Sequence, residues 1–509
     1  MDANILCKTK AGNNYLYNFN MNRFNLVHPI MNHLLKLAKE GADLEKWREQ
    51  LPADGIKIDD HTTVNKEEID YYYQKYLLLL KGNSAINVNR EEKFNGKLTE
   101  EQVFAILANT IDVIFEATDA CNLKCKYCGF GDYYENYDKR EKKSLDFKMA
   151  ANLLDFLYRF WQSPLNTSHK NKINIGFYGG EPLLNIDLIK QVVDYVKKFD
   201  NLNKTFTFRM TTNALLLEKN MDFLVDHDFH LLISLDGNKK HNGYRVFPDG
   251  SEAYDTIFHN VTALKNKYPD YFKKNISFNV VLHNKNSVGE VYEYFKENFD
   301  KIPTISELSP INIKHDKRED FLRMYQNSDE SVNLSKDHLR LEKEMFERLP
   351  SIKALCSIIN HCSGHCYMNY SELLYPSDRQ QRIPTGTCLP FSRKLFLSVN
   401  GKLLPCERIG HQFFYGTVDE EKVNLDAREV ARLTNDYVDK IRNHCFSCYK
   451  ADICPMCIYN LKVDKPEAIK KCPEFMDYNK FAGYLSSWLS KMEENPEYYP
   501  RIMDEVYIS

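Results

Sequence analysis

Three cysteines stand close together in the stretch Ala120-Cys121-Asn122-Leu123-Lys124-Cys125-Lys126-Tyr127-Cys128. Thiolates are the usual ligands of iron–sulfur clusters, and a CxxxCxxC triplet can bind three irons of a four-iron, four-sulfur cluster. The fourth iron then has no protein ligand and stays open to a small molecule. The stretch follows a run predicted as a strand at residues 112–118, so the triplet is expected just past the end of that strand.

Strand and helix patterns alternate around this stretch, from about residue 110 to residue 315. The predicted strands are 112–118, 173–178, 205–211, 231–235, 276–282 and 305–311. Amphipathic stretches such as 144–161 and 187–198 lie between them. Repeated βα units predict a parallel sheet whose active face lies at the carboxyl ends of its strands. Six units are too few for a closed eightfold barrel, so we expect an α/β fold built on a partial (β/α)6 TIM-type barrel with an open side.

Short polar motifs follow the next three predicted strands. They are Gly179-Gly180-Glu181-Pro182, Thr211-Thr212-Asn213-Ala214, and Ser234-Leu235-Asp236-Gly237 with His241 and Arg245 shortly after. Two adjacent glycines let the backbone approach a ligand closely. Taken alone, each motif is also a common turn, and Arg245 with Asp236 is equally a loop-stabilising ion pair.

A second group of cysteines stands near the C-terminal end. It comprises Cys388, Cys406, Cys445, Cys448, Cys454, Cys457 and Cys472. Clustered thiols in a reducing compartment are more often metal ligands than disulfides. The alternative to iron–sulfur clusters is zinc in a treble-clef-like ribbon.

Together these motifs resemble the radical S-adenosylmethionine (SAM) enzymes, within them those with a C-terminal SPASM domain, and most closely the maturases of ribosomally made peptides. The triplet matches the family's CxxxCxΦC motif, with aromatic Tyr127 before its last cysteine. The resemblance implies three 4Fe–4S clusters, one that binds SAM and two auxiliary ones. It implies that the open iron binds the amino and carboxylate groups of SAM, and that a 5′-deoxyadenosyl radical abstracts hydrogen from substrate.

The resemblance also assigns residues to SAM and to a proton-transfer role. Around the cofactor it places Tyr127, Gly179, Gly180, Glu181, Thr212, Asn213, Ser234, Asp236 and Arg245. Ala214 departs from the family's TNG motif, which has glycine there. Glu407, directly after Cys406, is a candidate acid or base, since some family members have an acidic residue at that point. A solvated surface glutamate is the alternative.

By the same resemblance, the auxiliary clusters divide the C-terminal cysteines. The first cluster would take Cys388, Cys406 and Cys457, and the second would take Cys445, Cys448, Cys454 and Cys472. The first set lacks a fourth ligand, for which Cys362 and Cys366 are the better candidates, although a site open to a substrate thiolate is the other possibility. The sequence departs from the family pattern in having two residues, not three, between Cys454 and Cys457.

The N-terminal residues 1–95 are expected to form a separate winged-helix-like module. Its predicted strands are 15–19 and 23–27, and its predicted helices are 31–39 and 66–80. The pattern resembles the peptide-recognition element of peptide maturases, which implies that a leader peptide adds a strand against residues 23–27 or their partner. Helix 31–40 has only two lysines, which argues against DNA binding.

Length and composition predict several domains in this chain of 509 residues. They are the module at 1–95, the barrel at 105–318, a connector at 319–385, the SPASM domain at 386–480, and a C-terminal helix and tail at 481–509. The net charge of -3 offers no electrostatic case for nucleic acid or an anionic membrane as partner. The apolar runs are too short to span a bilayer, and the first residues lack a secretion signal, so we expect a cytoplasmic protein.

The predicted function is therefore a radical SAM peptide maturase. It would hold the leader of a precursor peptide, receive electrons from a flavodoxin or ferredoxin, and install an oxidative cross-link of thioether, ether or carbon–carbon type. One alternative is an anaerobic sulfatase-maturating enzyme that forms formylglycine, for which the N-terminal module has no evident use. Another is a non-catalytic iron–sulfur partner protein, against which the intact triplet and the GGEP motif argue.

Overall fold

The computed structural model describes residues 4–19, 23–52, 55–58, 62–85, 90–169, 172–199, 202–362, 381–467 and 469–506. In this described part of the chain, no helix combines the length and the apolar character that a membrane span requires.

The N-terminal region is a three-stranded antiparallel sheet followed by helices. Its elements are β1 (Asn4–Lys8), β2 (Asn14–Asn18), β3 (Arg23–Val27), α1 (Pro29–Lys39), α2 (Leu44–Glu49), β4 (Ile56–Lys57), β5 (Thr63–Val64), α3 (Lys66–Ala85) and α4 (Arg90–Lys93). The order β1-β2-β3 places β3 at an edge of the sheet. Strand β1 was not predicted, because Leu6 interrupts the alternation of apolar and polar residues. The winged-helix likeness stays a prediction.

Six parallel strands follow, in chain order across one sheet. This region comprises α5 (Glu100–Ala108), β6 (Asp112–Thr118), α6 (Phe147–Trp161), β7 (Lys172–Gly179), α7 (Ile186–Val196), β8 (Thr205–Thr212), α8 (Leu217–Asp226), β9 (His230–Ser234), α9 (Tyr254–Lys267), α10 (Pro269–Asn275), β10 (Ile276–Leu282), α11 (Val288–Phe299) and β11 (Thr304–Glu307). The six predicted strands are thus confirmed as a parallel α/β arrangement. Strand β11 ends before the predicted residue 311, and Pro310, which has no N–H to donate, lies beyond its end.

Local sequence explains where the helices of this region begin and what they bury. Helix α6 begins after Asp146, whose carboxylate accepts a hydrogen bond from the backbone N–H of Lys148 at 2.7 Å. Its apolar face, with Leu153 and Leu157, is completely buried against the sheet side of the core. Side-chain caps and buried apolar faces of this kind recur in other helices of the region, so that helices cover the sheet.

The connector is largely helical in the residues that the structure describes. It contains α12 (Arg318–Met324), α13 (Ser328–Asn333), α14 (His338–Glu344) and α15 (Pro350–Cys362). Phe346 and Ile352 share a core with Tyr498 and Ile502 from the last helix of the chain. The connector therefore packs against the C-terminal tail.

The cysteine-rich region extends the same sheet. Its elements are β12 (Leu395–Leu397), β13 (Lys402–Leu404), β14 (Gly416–Val418), β15 (Val423–Asn424) and α16 (Ala427–Ser447), followed by α17 (Tyr478–Glu494) and α18 (Tyr498–Glu505). Strand β12 pairs in parallel with β6, with Leu395 opposite Val113, and β13 to β15 continue antiparallel. The cysteine-rich region is thus built directly onto the strand that precedes the Cys121 triplet.

The two ends of the chain pack together. Ile5, Tyr17 and Phe19 of the N-terminal sheet share a core with Phe481 and Leu485 of α17. The backbone N–H of Leu6 also donates to the hydroxyl of Tyr478 at 3.0 Å. The N-terminal sheet is therefore fixed to the C-terminal end of the molecule.

Candidate functional site

The cysteine triplet lies directly beyond the carboxyl end of β6. The thiol of Cys121 accepts from the backbone N–H of Leu123 at 3.4 Å, and Arg245 Nη1 lies 3.9 Å from the sulfur of Cys125. Burial raises the pKa of both thiols, that of Cys125 to about 12. A thiol in such surroundings becomes a thiolate when a metal or a neighbouring cation stabilises the negative charge. This donor set suits an iron–sulfur cluster.

The glycine pair at the end of β7 brings that strand against the segment leading into the triplet. Gly179 has φ of +123°, and a Cβ on Gly180 would lie 1.9 Å from the carbonyl oxygen of Ala120. In the structure, therefore, the close backbone approach permitted by the glycines is to the chain itself. A contact of Gly179 and Gly180 with SAM stays a prediction.

Glu181 connects two of the predicted motifs. Its fully buried carboxylate accepts from Leu183 N at 3.1 Å, from Thr212 Oγ1 at 2.8 Å and from Asn213 N at 2.8 Å. Burial raises the pKa of Glu181 to about 7, although these hydrogen bonds oppose the rise. The Glu181 side chain thus holds the turn after β7 against the turn after β8. A contact of Glu181 with SAM stays a prediction.

The turn after β8 also reaches the triplet. Asn213 Nδ2 donates to Asn122 Oδ1 at 2.8 Å and lies 3.9 Å from the sulfur of Cys121. Ala214 has φ of +64°, in the left-handed region that favours glycine. The backbone conformation therefore explains why the family has glycine at this position. The structure thus brings Asn213 beside the first cysteine.

Asp236 and Arg245 form a buried ion pair behind the triplet. Arg245 Nε donates to Asp236 Oδ2 at 3.1 Å, and the hydroxyl of Tyr127 donates to the same oxygen. Burial alone would raise the pKa of Asp236, but Arg245 and His283 together hold it below its usual value. The structure thus shows the ion pair of Asp236 and Arg245, and a contact of either residue with SAM stays a prediction. The role of Ser234, at the end of β9, stays a prediction.

Four of the C-terminal cysteines meet at one cavity. Cys445 and Cys448 at the end of α16, with Cys454 and Cys472 from the following loops, line its wall. Burial raises the pKa of Cys445 to about 12, and its three cysteine neighbours add to the rise. These four are the set assigned to the second auxiliary cluster. Among the described residues, no three His, Cys, Asp or Glu side chains lie close enough together to bind a single metal ion. The cysteines of an iron–sulfur cluster lie farther apart than the ligands of a single ion, because each binds a different iron.

The other auxiliary cysteines are less closely grouped. Burial raises the pKa of Cys457, and nearby Cys388 adds to the rise, so these two are neighbours. Cys362 is buried in the core of the N-terminal sheet and is hydrogen bonded with the hydroxyl of Tyr17. Its role as fourth ligand stays a prediction, and Cys366 lies outside the described residues.

Glu407 is not a surface residue. Its side chain is 8% exposed and accepts from Lys394 Nζ at 2.8 Å, while Cys406 Sγ lies 3.5 Å from its other oxygen. Burial would raise the pKa of Glu407, but Lys394 and Arg408 hold it below its usual value. The interpretation as a solvated surface glutamate is therefore wrong.

Aromatic side chains occupy the space between the triplet and Cys406. The rings of Phe130 and Tyr137 lie 5.0 Å apart, and Phe130 lies 6.1 Å from Tyr178. Burial raises the pKa of Tyr137, and charge at both Cys406 and Cys128 adds to the rise, so Tyr137 lies near both cysteines. Sequence reasoning missed this group because its members share no motif.

A family model for the radical SAM superfamily matches residues 115–297, which include the triplet and all three polar motifs. The chain belongs to the radical SAM superfamily. Membership implies an enzyme that uses SAM and a 4Fe–4S cluster. Cys121, Cys125 and Cys128 are the side chains that would hold that cluster.

Two curated relatives of this radical SAM protein are named for different reactions. The cysteine-type anaerobic sulfatase-maturating enzyme of Clostridium novyi (strain NT) is 26% identical over 402 residues, covering 75% of this chain and 94% of that protein. The radical SAM cyclopropyl synthase TigE of Paramaledivibacter caminithermalis is 26% identical over 285 residues, 54% of each chain.

A solved structure, native anSMEcpe with bound AdoMet and Cp18Cys peptide, has the same fold. It matches with a TM-score of 0.50 and 18% identity, over 77% of this chain and 98% of that chain. At that identity the likeness concerns the fold alone. It supports the radical SAM α/β architecture described above.

Proposed function

We propose that this protein is a peptide maturase that abstracts hydrogen from a ribosomal precursor peptide and installs an oxidative cross-link of thioether, ether or carbon–carbon type. The observation that carries the proposal is the N-terminal antiparallel sheet with β3 at its edge, fixed to the cysteine-rich end of a radical SAM fold. The N-terminal sheet lies beside the cysteine-rich region, since Tyr17 and Phe19 share a core with Tyr449 and Ile453.

The exposed edge strand supports leader binding by strand addition. Leu26 on β3 is 68% exposed, and only its last residue, Val27, is buried. An edge strand offers unpaired backbone N–H and C=O groups, and exposed apolar side chains beside it can give specificity. The leader would therefore lie along β3.

Different residues of the chain would have different roles in the reaction. The triplet would hold the SAM-binding cluster, which together with SAM supplies one-electron chemistry when bound. The turns after β7 and β8, joined through Glu181, would keep the surroundings of the triplet rigid. Glu407, buried and ionised beside Lys394, would accept a proton from the substrate on the side of Cys406.

The four-cysteine cavity supports an oxidative reaction. Cross-linking removes two electrons and two protons from the peptide in total, and an auxiliary cluster provides a route for surplus electrons. The cavity of Cys445, Cys448, Cys454 and Cys472 would hold that cluster. A flavodoxin or ferredoxin would supply the starting electron.

Sulfatase maturation is the second candidate function. The sulfatase-maturating relative aligns over nearly its whole length, which favours this activity. The same alignment leaves about a quarter of the present chain without a counterpart, which agrees with an added substrate-binding module. A non-catalytic iron–sulfur partner is disfavoured, since the complete triplet sits beside ordered turns at the carboxyl ends of the strands.

The test is mass spectrometry of a candidate precursor peptide, sought among the neighbouring genes and co-expressed with this protein under anaerobic conditions. Loss of two hydrogens per modified site, together with SAM cleavage, is the expected result. Replacement of a cysteine sulfur by oxygen together with the loss of two hydrogens, in a co-expressed sulfatase peptide, would instead establish formylglycine formation. Cys125→Ala and Cys128→Ala should abolish modification, while Cys7→Ala, a buried cysteine of the N-terminal sheet, should retain it. Persistence of modification in both triplet variants would refute catalysis by this site.

A further inference from the structure

Arg90 places a positive charge against the backbone of two cysteines of the four-cysteine cavity. It lies on α4 in the N-terminal region, outside both the barrel and the cysteine-rich region. Its Nε donates to the carbonyl oxygen of Phe446 at 2.9 Å. Its Nη2 donates to the carbonyl oxygens of Cys445 and Cys448, at 3.2 and 2.6 Å. One guanidinium therefore binds the main chain of two residues that line the cavity.

These carbonyl groups stand at the carboxyl end of a long helix. Helix α16 has 21 residues, and the last carbonyls of such a helix carry a partial negative charge of roughly half an elementary charge. Cysteines that bind a metal there are thiolates, which the negative helix end disfavours. Burial lowers the pKa of Arg90, and the charges of Asp452 and Cys448 oppose that fall. Arg90 thus compensates the helix end with a full positive charge.

Cations outnumber carboxylates around Arg90. Asp452, whose side chain is 4% exposed, lies 2.5 Å from Lys93 Nζ, 3.3 Å from Arg382 Nη1 and 4.0 Å from Arg90 Nη1. Three cations therefore share this one carboxylate. A net positive charge remains beside the cavity, in surroundings from which water is largely excluded, so its field is screened less than at the surface.

The N-terminal sheet fixes Arg90 in this position. The guanidinium carbon of Arg90 lies 4.2 Å from the centre of the Phe19 ring and 5.1 Å from that of Phe94. Phe19 directly follows β2, and its ring centre lies 6.0 Å from that of Tyr449, the residue after Cys448. The N-terminal region therefore contributes to the surroundings of the four-cysteine cavity.

We propose that Arg90 is a positioning residue for the auxiliary cluster of the four-cysteine cavity, and that its buried charge raises the reduction potential of that cluster. Net charge and hydrogen bonds around an iron–sulfur cluster set its potential, since a nearby cation stabilises the added electron. The inference rests on the part of the proposed function that assigns a cluster to this cavity. The charge of Arg90 would favour electron uptake there when the substrate is oxidised.

The experiment is a redox titration of the reconstituted full chain, followed anaerobically by electron paramagnetic resonance. The signal that Cys445→Ser removes identifies the cluster of the four-cysteine cavity. Arg90→Gln removes the charge, and Arg90→Lys keeps it without the fork. Lys93→Gln removes the neighbouring cation and leaves the cysteine carbonyls bound. Arg428→Gln, at an exposed arginine near the start of the same helix, is the matched control.

A fall in potential is expected for the charge-removing variants alone. In Arg90→Gln the ratio of reduced to oxidised auxiliary cluster at a fixed potential should fall about tenfold, which for one electron is about 59 mV. Lys93→Gln should shift in the same direction, and it decides the question if Arg90→Gln takes up no iron in the cavity. Arg90→Lys and Arg428→Gln should titrate like wild type, and the SAM-binding cluster should keep its midpoint in every variant.

Two results would overturn the inference by themselves: an unchanged midpoint in the iron-loaded charge-removing variants, or an equal fall in Arg90→Lys. Zinc in place of iron in the wild-type cavity would refute the auxiliary cluster and the role of Arg90 together. A lowered midpoint in Arg90→Gln, found without modification of any peptide, would support the role of Arg90 and count against the proposed maturase. The two proposals therefore fail separately.

Discussion

Arg245 and Asp236 face each other in the interior, with Arg245 Nε 3.1 Å from Asp236 Oδ2, and the same guanidinium reaches within 3.9 Å of the Cys125 sulfur. The pair therefore connects the turn after β9 to the cysteine triplet. Because Tyr127 also donates to Asp236, one buried carboxylate holds two residues of the triplet's surroundings in place.

Removing that carboxylate should destabilise the protein strongly. Asp236→Asn leaves Arg245 as a buried charge without a counter-ion, which typically costs about 3–5 kcal/mol. We expect a clear fall in the midpoint of urea unfolding, measured anaerobically, and a loss of bound iron. Asp222→Asn breaks an exposed pair with Lys267 and should leave the midpoint unchanged. Equal midpoints for the two variants would contradict the structural role of Asp236.

The buried pair of Glu407 and Lys394 should set the pH dependence of peptide modification. With Lys394→Met, burial still raises the pKa of Glu407, but the opposing cation is gone. A base acts only when deprotonated, so the acidic limb of the pH–rate profile should move to higher pH. Glu407→Gln should be inactive at every pH. Arg408→Gln, which removes an exposed cation 3.7 Å from Glu407, should shift the limb less. An unmoved limb in Lys394→Met would show that Glu407 is not the base.

The cavity of four cysteines should account for one cluster's iron. Cys445→Ser is expected to lower the iron content of the reconstituted protein by about four atoms per chain while the SAM-binding cluster keeps its spectrum. Iron analysis and electron paramagnetic resonance measure the two effects, and Cys7→Ala serves as the control thiol. Stoichiometric zinc in the wild-type cavity, with iron unchanged in Cys445→Ser, would favour a structural zinc site.

The edge of β3 should determine affinity for the precursor peptide. Leu26→Lys places a charge where the proposed leader strand packs, so the affinity of the variant for the precursor peptide should fall about tenfold or more. Fluorescence anisotropy with a labelled leader measures this. Leu334→Lys, at an exposed leucine in the connector, should bind like wild type. Since both positions are exposed, neither variant should lose stability, and equal binding by both would exclude β3 as the docking edge.

The amino-acid sequence by itself determined the elements whose signals are local. The predicted strand at residues 112–118 has the bounds of β6, and the strand at 276–282 has those of β10, because β-branched and aromatic residues predominate in both stretches. The positions of the triplet and of the polar motifs could also be predicted, because parallel strands present their carboxyl ends at one edge of the sheet. Strand β1 and helix α5 were missed, since short elements with mixed patterns resemble loops.

Only the tertiary structure decided which distant side chains meet. It joined Glu181 to Asn213 and brought Arg245 beside Cys125, and it buried Glu407 beside Lys394. Pairing of this kind depends on how strands and loops pack across the sheet, and no periodicity along the chain records it. The physical reason is that burial and partner choice are properties of the packed fold, whereas a local pattern reports only the element in which a residue lies.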